Sequence, residues 1–231
     1  MVTEGRSADL VPVSVIVPVR NGAALIGDAL RSVAAQTWRP REIIVVDGES
    51  SDESAAVAAA FANTTVLSNP RIVAAEGRNI GAAQASQPYI AFLDADDLWP
   101  ATRIERQLAR LLQAPTLDLV TGRLQQFAMG PDGGIVPQGP PPASQLPSVA
   151  LMRRAAFWRG GAFSSQWQVG ETVEWCSRAV DLGLEVEAIA ETVLLRRLHD
   201  GNAGRTAPAP MRSYLETLHT VLQRRRAAGR L

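Results

Sequence analysis

The first half of the chain alternates between short, continuously apolar runs and longer segments whose apolar residues recur at helical spacing. Uninterrupted apolar runs of this length are typical of buried strands, and a 3.6-residue spacing is typical of amphipathic helices. The resulting β-α-β-α order predicts a mostly parallel sheet whose two faces are covered by helices. We predict strands at Val13–Val19, Glu42–Asp47, Thr64–Leu67 and Tyr89–Leu93, and helices at Ala23–Gln36, Asp52–Ala62 and Arg78–Ala85.

The second half of the chain is less regular. Its stretch from Met129 to Pro147 is rich in glycine and proline, which predicts a long mobile loop of the kind that often serves as a lid or binding segment. The remaining predicted elements are strands at Leu117–Thr121 (extending toward Phe127), Ser148–Met152, Leu184–Ile189 and Thr192–Leu198, and helices at Glu171–Leu182 and Met211–Arg226.

A cluster of acids follows the predicted strand Tyr89–Leu93 directly: Asp94, Asp96 and Asp97. Ligands of open α/β sheets bind just beyond the carboxyl ends of the strands. Clustered carboxylates repel one another and favour a cation, and Mg²⁺ or Mn²⁺ binds one or two carboxylates together with substrate phosphates. The cluster predicts a metal-assisted site for a phosphorylated donor. The alternative is an acidic turn that caps a helix starting near Pro100, and both can hold together.

Length, charge and cysteine content narrow the class of protein. The chain has 231 residues, 46% of them hydrophobic, which suits a single domain. A net charge of zero argues against a nucleic-acid partner. The single Cys176 excludes an intramolecular disulfide framework and suits a reducing compartment. No apolar run approaches the ~20 residues that span a bilayer, and Met1–Asp9 lacks the form of a signal peptide. We therefore expect a cytoplasmic protein, with weak peripheral membrane contact through Arg224–Arg226 at most.

Four motifs stand in a characteristic order, each in the strand or helix context that it needs. Jointly they resemble family 2 glycosyltransferases of the GT-A fold over about residues 12–205, although each motif alone is weakly specific. The resemblance implies a Rossmann-like central sheet in a single domain. The motifs are Pro18-Val-Arg-Asn-Gly22, Val46-Asp-Gly-Glu-Ser-Ser-Asp52, Gly77-Arg-Asn-Ile-Gly-Ala-Ala83 with Phe92-Leu-Asp-Ala-Asp-Asp97, and Gly170-Glu-Thr-Val-Glu-Trp-Cys-Ser-Arg178.

We expect one domain, 1–231, with three parts. Residues 12–113 are expected to bind the nucleotide sugar, and residues 114–205 to form the acceptor side. Residues 206–231 are expected to form a linker and a terminal helix that docks on the body through its apolar stripe.

The resemblance also assigns residues to the donor. It implies that Asp47 accepts a hydrogen bond from the base of a UDP-type or dTDP-type donor, with Pro18 and Arg20 beside the base and ribose. Arg78 and Asn79 either contact the donor or hold their loop together. The alternative for Asp47 is a turn residue. A glycine follows it where family members usually carry a second Asp, which leaves the choice of nucleotide open.

The same resemblance assigns a metal role to the acid cluster. It implies that Asp96 contacts Mn²⁺ or Mg²⁺ directly and that Asp94 contacts the ribose or the metal. The metal would bridge the donor diphosphate and neutralise charge on the leaving nucleotide. His199 could reach the metal or diphosphate, and Arg197 or Arg196 the diphosphate. The alternative for His199 is an ordinary structural histidine.

The catalytic base is the main departure from the family pattern. Family 2 enzymes are similar in using an inverting displacement, in which a carboxylate takes the proton of the acceptor hydroxyl. Thr172 occupies the position of the usual Asp, and a neutral Thr is a poor base. Glu171 is the first substitute and Glu174 the second. The alternative is that both are exposed acids favoured by the start of a helix.

These observations predict a metal-dependent, inverting glycosyltransferase that moves a sugar from a nucleoside-diphosphate sugar to a small-molecule, lipid-linked or peptide acceptor. We expect residues 123–175 to form the acceptor side, with Trp167 or Trp175 either stacking on sugar or packing in the core. One alternative is a non-catalytic nucleotide-sugar-binding or regulatory protein that lost its base. The other is a nucleotidyltransferase, for which Arg20-Asn21-Gly22 is too sparse to hold a triphosphate.

Overall fold

The structure, a computed structural model, describes residues 10–70, 73–144, 146–166 and 170–199, together with 216, 219–223 and 226. These residues form one sheet of eight strands with helices packed on its faces. The strands are β1 (Leu10–Val19), β2 (Arg39–Asp47), β3 (Thr64–Ser68), β4 (Tyr89–Phe92), β5 (Leu119–Met129), β6 (Ile135–Gln138), β7 (Leu151–Arg153) and β8 (Val186–Arg197). The helices are α1 (Ala23–Ala34), α2 (Ser54–Ala59), α3 (Ala74–Gln84), α4 (Arg103–Gln113), α5 (Arg154–Gly160) and α6 (Glu171–Asp181), and a 3-10 turn spans Pro147–Val149.

The sheet has the order β3-β2-β1-β4-β7-β5-β6, and β8 pairs with β5. Strands β1 to β4 are parallel, which confirms the predicted mostly parallel core of the sheet. β7 runs antiparallel to β4 and to β5, and β8 runs parallel to β5. Because β2 and β4 flank β1 on opposite sides, the chain order reverses at β1, and such a reversal opens a crevice at the carboxyl ends of the strands.

Both faces of the strands β1, β2 and β4 are buried, which explains the uninterrupted apolar runs. In β1, Val15 and Val17 face one core together with Leu30 of α1. Ile16, which points the other way, faces a second core together with Ala82 of α3. Alternate residues of the strand therefore pack in two separate cores, so both of its faces favour apolar side chains.

Three elements of the second half differ from the predictions. The predicted loop Met129–Pro147 contains β6, which forms a hairpin with β5. All four residues of β6 are exposed, so no apolar pattern marks it. The seven-residue helix α5 was not predicted, and the two strands predicted between Leu184 and Leu198 are one irregularly paired strand, β8.

Other predictions concern single elements. Most of the predicted helix Met211–Arg226 lies outside the described residues, although residues 216, 219–223 and 226 are helical. Cys176 is partly buried in α6, and burial raises the pKa of its thiol to about 12, in keeping with a packing role. Within the described ranges, no helix has the length and apolar character needed to cross a bilayer.

The contact between α3 and β1 leaves no room for a side chain at Gly81. A Cβ built on Gly81 would lie 2.4 Å from Cγ2 of Ile16, far inside contact distance. Gly81→Ala should therefore lower the free energy of unfolding by about 1–3 kcal/mol through overpacking. Urea denaturation would measure the change.

Gly27→Ala in α1 is the matched control. Its Cβ would meet only the flexible end of Arg31, at 3.3 Å, and alanine is favoured over glycine inside a helix. This variant should be as stable as the parent or more so. Equal losses in both variants would contradict the packing explanation.

Candidate active site

The carboxyl ends of the four parallel strands open onto a cavity of about 600 Å³, within the size range of small-molecule sites. Its walls combine apolar side chains at the ends of β1 and β2 with polar groups from the loop after β4. Five residues predicted to contact donor or metal line this cavity: Pro18, Arg20, Asp94, Asp96 and His199.

Each acid in the loop after β4 has a different partner. Oδ1 of Asp94 accepts a hydrogen bond from Nη2 of Arg78 at 2.5 Å. Oδ2 of Asp96 lies 2.9 Å from Nε2 of His199, and Oδ1 of Asp97 accepts from the main-chain N–H of Arg197 at 2.9 Å. The loop is thus held by groups from α3 and from the end of β8.

Asp97 itself is buried and does not face the cavity. Burial, and then the charges of Asp94 and Asp96, raise its pKa well above the ordinary value. The helix-cap alternative for these acids is wrong, because α4 begins at Arg103 and its capping position is Thr102, with no side-chain cap. Asp97 instead ties the acidic loop to β8.

Arg78 is buried between two carboxylates from opposite halves of the chain. Besides Asp94, its guanidinium donates to Oε1 of Glu171 at 2.7 Å, and only 7% of the residue is exposed. Burial by itself lowers the pKa of Arg78, but Asp94 and Glu171 together raise it above the usual value. Arg78 does not line the cavity. It bonds Asp94 of the acidic loop, whereas the sequence had suggested that it contacts the donor.

Asn79 holds a loop, as one of the two predicted alternatives stated. Its amide donates to the carbonyl of Phe163 at 2.8 Å and accepts from the N–H of Phe163 at 2.9 Å. This pair of bonds fixes the chain between α5 and α6 against α3.

Asp47 occupies a turn at the end of β2. Its Oδ2 accepts from the N–H of Ser50 at 3.1 Å, and its Oδ1 from the Ser50 hydroxyl. The same hydroxyl accepts from the N–H of Asn21 at 2.9 Å, which links the ends of β1 and β2. Gly48 lines the cavity and Asp47 does not. Asp47 is therefore placed as a turn residue, the alternative given above, and contact between Asp47 and a nucleotide base stays a prediction.

Arg197 lies elsewhere than predicted. It is 5% exposed and does not line the cavity. Its Nη2 donates to Oδ2 of Asp28 at 2.9 Å and its Nε to the carbonyl of Asp96 at 3.1 Å. Because its guanidinium is directed at these groups, the structure does not support direct contact with a diphosphate.

The two candidate bases are buried in the first turn of α6, so the alternative of exposed helix-start acids is wrong. Glu171 is joined to the acidic loop through Arg78. Glu174 accepts from Nη2 of Arg178 at 2.8 Å, and Arg178 also donates to the carbonyl of Gly160 at 2.6 Å. Glu174 therefore helps to attach α6 to the end of α5. Neither Glu171 nor Glu174 is among the residues that line the cavity, and Glu171 is linked to its wall only through Arg78 and Asp94.

The structure adds Asn69, which no motif indicated. Asn69 follows β3, is 3% exposed and lines the cavity, and its N–H donates to the carbonyl of Asp47 at 2.7 Å. Its place after the third parallel strand was the only available signal.

Trp175 is a core residue packed on Phe157, and its indole N–H donates to the carbonyl of Gly161 at 2.7 Å. Trp167 lies outside the described residues.

The chemistry of the cavity fits a metal ion that is shared with a substrate. Among the residues the structure describes, no three His, Cys, Asp or Glu side chains form a complete metal cluster. Asp96 and His199 nevertheless meet at 2.9 Å on the cavity wall beside Asp94. Carboxylate oxygens suit Mn²⁺ and Mg²⁺, and Mg²⁺ is commonly bound by one or two carboxylates together with substrate phosphates.

Comparison with known proteins places the chain in a family. Residues 14–160, more than half of the chain, match the family model described as Glycosyl transferase family 2. The chain belongs to this glycosyltransferase family. Two curated glycosyltransferases are similar over part of their length. UDP-Glc:alpha-D-GlcNAc-diphosphoundecaprenol beta-1,3-glucosyltransferase WfgD of Escherichia coli is 36% identical over 104 residues, 44% of this chain and 41% of WfgD. Glycosyltransferase GlyG of Streptococcus pneumoniae serotype 4 is 29% identical over 124 residues, 50% of this chain and 40% of GlyG. The match thus spans about two fifths of each relative.

Solved structures of another glycosyltransferase show the same fold. TarS of S. aureus (residues 1–349, with UDP-GlcNAc) superposes with a TM-score of 0.75 at 17% identity, covering 90% of this chain and 65% of that one. Its complex with UDP gives a TM-score of 0.71 at 16% identity, covering 90% and 64%. This likeness confirms the predicted GT-A architecture.

Proposed function

We propose that the protein transfers a sugar from a UDP-type nucleotide sugar to an acceptor hydroxyl, with inversion at the anomeric carbon and with the help of a divalent metal ion. The observation that carries the proposal is that Asp94 and the contacting pair Asp96 and His199 line one cavity together with Pro18 and Arg20. WfgD is named for a UDP-glucose donor, and the TarS structures hold UDP-GlcNAc and UDP. Both facts favour a UDP-type donor.

The donor would extend along the cavity from its apolar to its acidic side. Pro18 and Val46 provide an apolar wall for a base, and the amide of Asn69 lines the same space. Arg20, exposed at the rim, is available to the ribose or phosphates. The diphosphate would then lie toward Asp96 and His199.

Asp96 and His199 would hold the metal ion, Mn²⁺ or Mg²⁺, while Asp94 is kept in place by Arg78. When bound, the ion supplies positive charge that stabilises the departing nucleoside diphosphate. Without it, the acidic loop would repel the phosphates of the donor. An apolar wall at one end and the acidic loop with its ion at the other would favour one orientation of a charged donor.

Glu171 is the base that we propose. Arg78 binds its Oε1, which leaves Oε2 as the oxygen for the acceptor's proton. The acceptor oxygen forms a bond to the anomeric carbon as the bond from that carbon to the phosphate oxygen breaks. The proton of the hydroxyl passes to Glu171 and UDP leaves. Thr172 has no carboxylate to offer. Glu171 is preferred over Glu174 because its partner Arg78 also bonds Asp94 of the cavity wall, whereas Arg178 attaches Glu174 to the end of α5.

Among small-molecule, lipid-linked and peptide acceptors, a lipid-linked acceptor is favoured, because WfgD is named for an acceptor linked to diphosphoundecaprenol. The cytoplasmic location stays a prediction. The second candidate function is a non-catalytic nucleotide-sugar-binding protein, which the ion pair of Glu171 with Arg78 and the presence of Thr172 favour. A glycosyltransferase would turn over a UDP-sugar in the presence of an acceptor, whereas a non-catalytic protein would only bind it.

Asp96→Ala should abolish Mn²⁺-dependent binding of UDP, because it removes the carboxylate that meets His199 on the cavity wall. Isothermal titration calorimetry of UDP with Mn²⁺ would measure this. Asp132→Ala, in the exposed turn before β6, is a control that also removes a carboxylate and should bind like the parent. Unchanged Mn²⁺-dependent affinity in Asp96→Ala would refute the metal assignment.

Glu171→Gln should slow transfer by about 10²–10⁴-fold, the usual contribution of a general base, while UDP affinity is retained. Single-turnover transfer from UDP-sugars to candidate acceptors would measure the rate. Glu174→Gln is the control on the same helical turn, and it should reduce stability rather than the rate of transfer. Full activity of Glu171→Gln would eliminate Glu171 as the base.

A further inference from the structure

The end of β8 is aligned with the acidic loop by a regular set of bonds. The N–H of Leu98 donates to the carbonyl of Leu195 at 2.9 Å, and the N–H of Leu195 donates to the carbonyl of Leu98 at 2.8 Å. Four residues beyond Leu195, His199 meets Asp96 at 2.9 Å. The position of the imidazole relative to the carboxylate therefore depends on how firmly β8 is attached to the loop.

Arg197 lies between Leu195 and His199 in the sequence and bonds two residues of the acidic loop, Asp96 and Asp97. Its main-chain N–H donates to Asp97 at 2.9 Å, and its Nε donates to the main-chain carbonyl of Asp96 at 3.1 Å. Its guanidinium carbon lies 5.4 Å from the ring centre of Phe127. A buried guanidinium bonded to the main chain of Asp96 restricts where the Asp96 side chain can point.

Asp28 of α1 fixes the far end of Arg197. Oδ2 of Asp28 accepts from Nη2 of Arg197 at 2.9 Å, and Oδ1 accepts from Nη2 of Arg31 at 2.5 Å. Although burial raises the pKa of Asp28, its hydrogen bonds with Arg31 and Arg197 bring it below the ordinary value. Asp28 is therefore ionised at neutral pH and balances a guanidinium whose side chain is only 6% exposed.

We propose that Asp28 and Arg197 are positioning residues that hold Asp96 and His199 in the arrangement needed by a donor and its metal ion. This inference rests on the proposed function. Neither residue lines the cavity, so both act through the acidic loop and not on the ligand. Groups that orient metal-binding side chains from behind typically contribute about 10–100-fold to metal affinity.

The test compares UDP binding with Mn²⁺ and with EDTA, by calorimetry well below the unfolding temperature. Asp28→Asn should weaken Mn²⁺-dependent UDP affinity by about tenfold, and in EDTA it should, like the parent, show no saturable binding. Arg197→Lys should lose less, since its ammonium still balances Asp28 but lacks the second donor for the Asp96 carbonyl. Arg31→Gln is the matched control, because it removes the other arginine bonded to Asp28. The Arg31 side chain is 67% exposed, so this variant should bind UDP like the parent.

Thermal midpoints of the same variants separate positioning from a purely structural role. A purely structural role would lower the midpoint of Asp28→Asn while its Mn²⁺-dependent affinity stayed at the parent value, and this result would overturn the inference but not the proposed function. If Arg197→Lys does not fold, the near-isosteric Asp28→Asn decides alone. Absence of Mn²⁺-dependent UDP binding by the parent protein would overturn the proposed function and this inference together.

Discussion

Three carboxylates within four residues after β4 repel one another, and the site depends on how that repulsion is balanced. The protein gives each acid its own partner: Arg78 for Asp94, His199 for Asp96, and a main-chain N–H for Asp97. The partners come from α3 and β8, so both elements must pack correctly before the loop takes its shape. A metal ion and a diphosphate would complete the balance on the cavity side.

Arg78 extends this electrostatic arrangement to the acceptor half. By joining Asp94 to Glu171 in a buried environment, it makes the position of α6 depend on the donor loop. Removing one partner of a buried ion pair leaves an uncompensated charge, so loss of the Arg78 side chain would disturb both carboxylates. The family's usual base position, now Thr172, lies next to Glu171. In the proposed mechanism Glu171 therefore has two roles: one oxygen binds Arg78 and the other accepts the proton.

The sequence predicted what depends on local pattern. Buried parallel strands appear as continuous apolar runs, and the acids that follow Leu93 mark a strand end, so the sheet and the cavity wall were both predictable. The bond between Asp28 and Arg197 was not, because 169 positions separate them and only tertiary packing brings them together. Strand β6 was missed because all four of its residues are exposed, so main-chain pairing alone defines it. Arg197 was expected at the ligand because a basic residue near a donor site suggests phosphate binding, whereas burial directs it to Asp28.

The most direct test of the central claim, that this cavity binds a nucleotide through a metal ion, is a calorimetric titration of UDP into the unmodified protein, first with Mn²⁺ and then with EDTA. Saturable binding that requires Mn²⁺ is the predicted result, because the acidic loop would otherwise repel the diphosphate. Binding of equal strength in EDTA would contradict the role of the metal. Absence of binding under both conditions would contradict the UDP site itself.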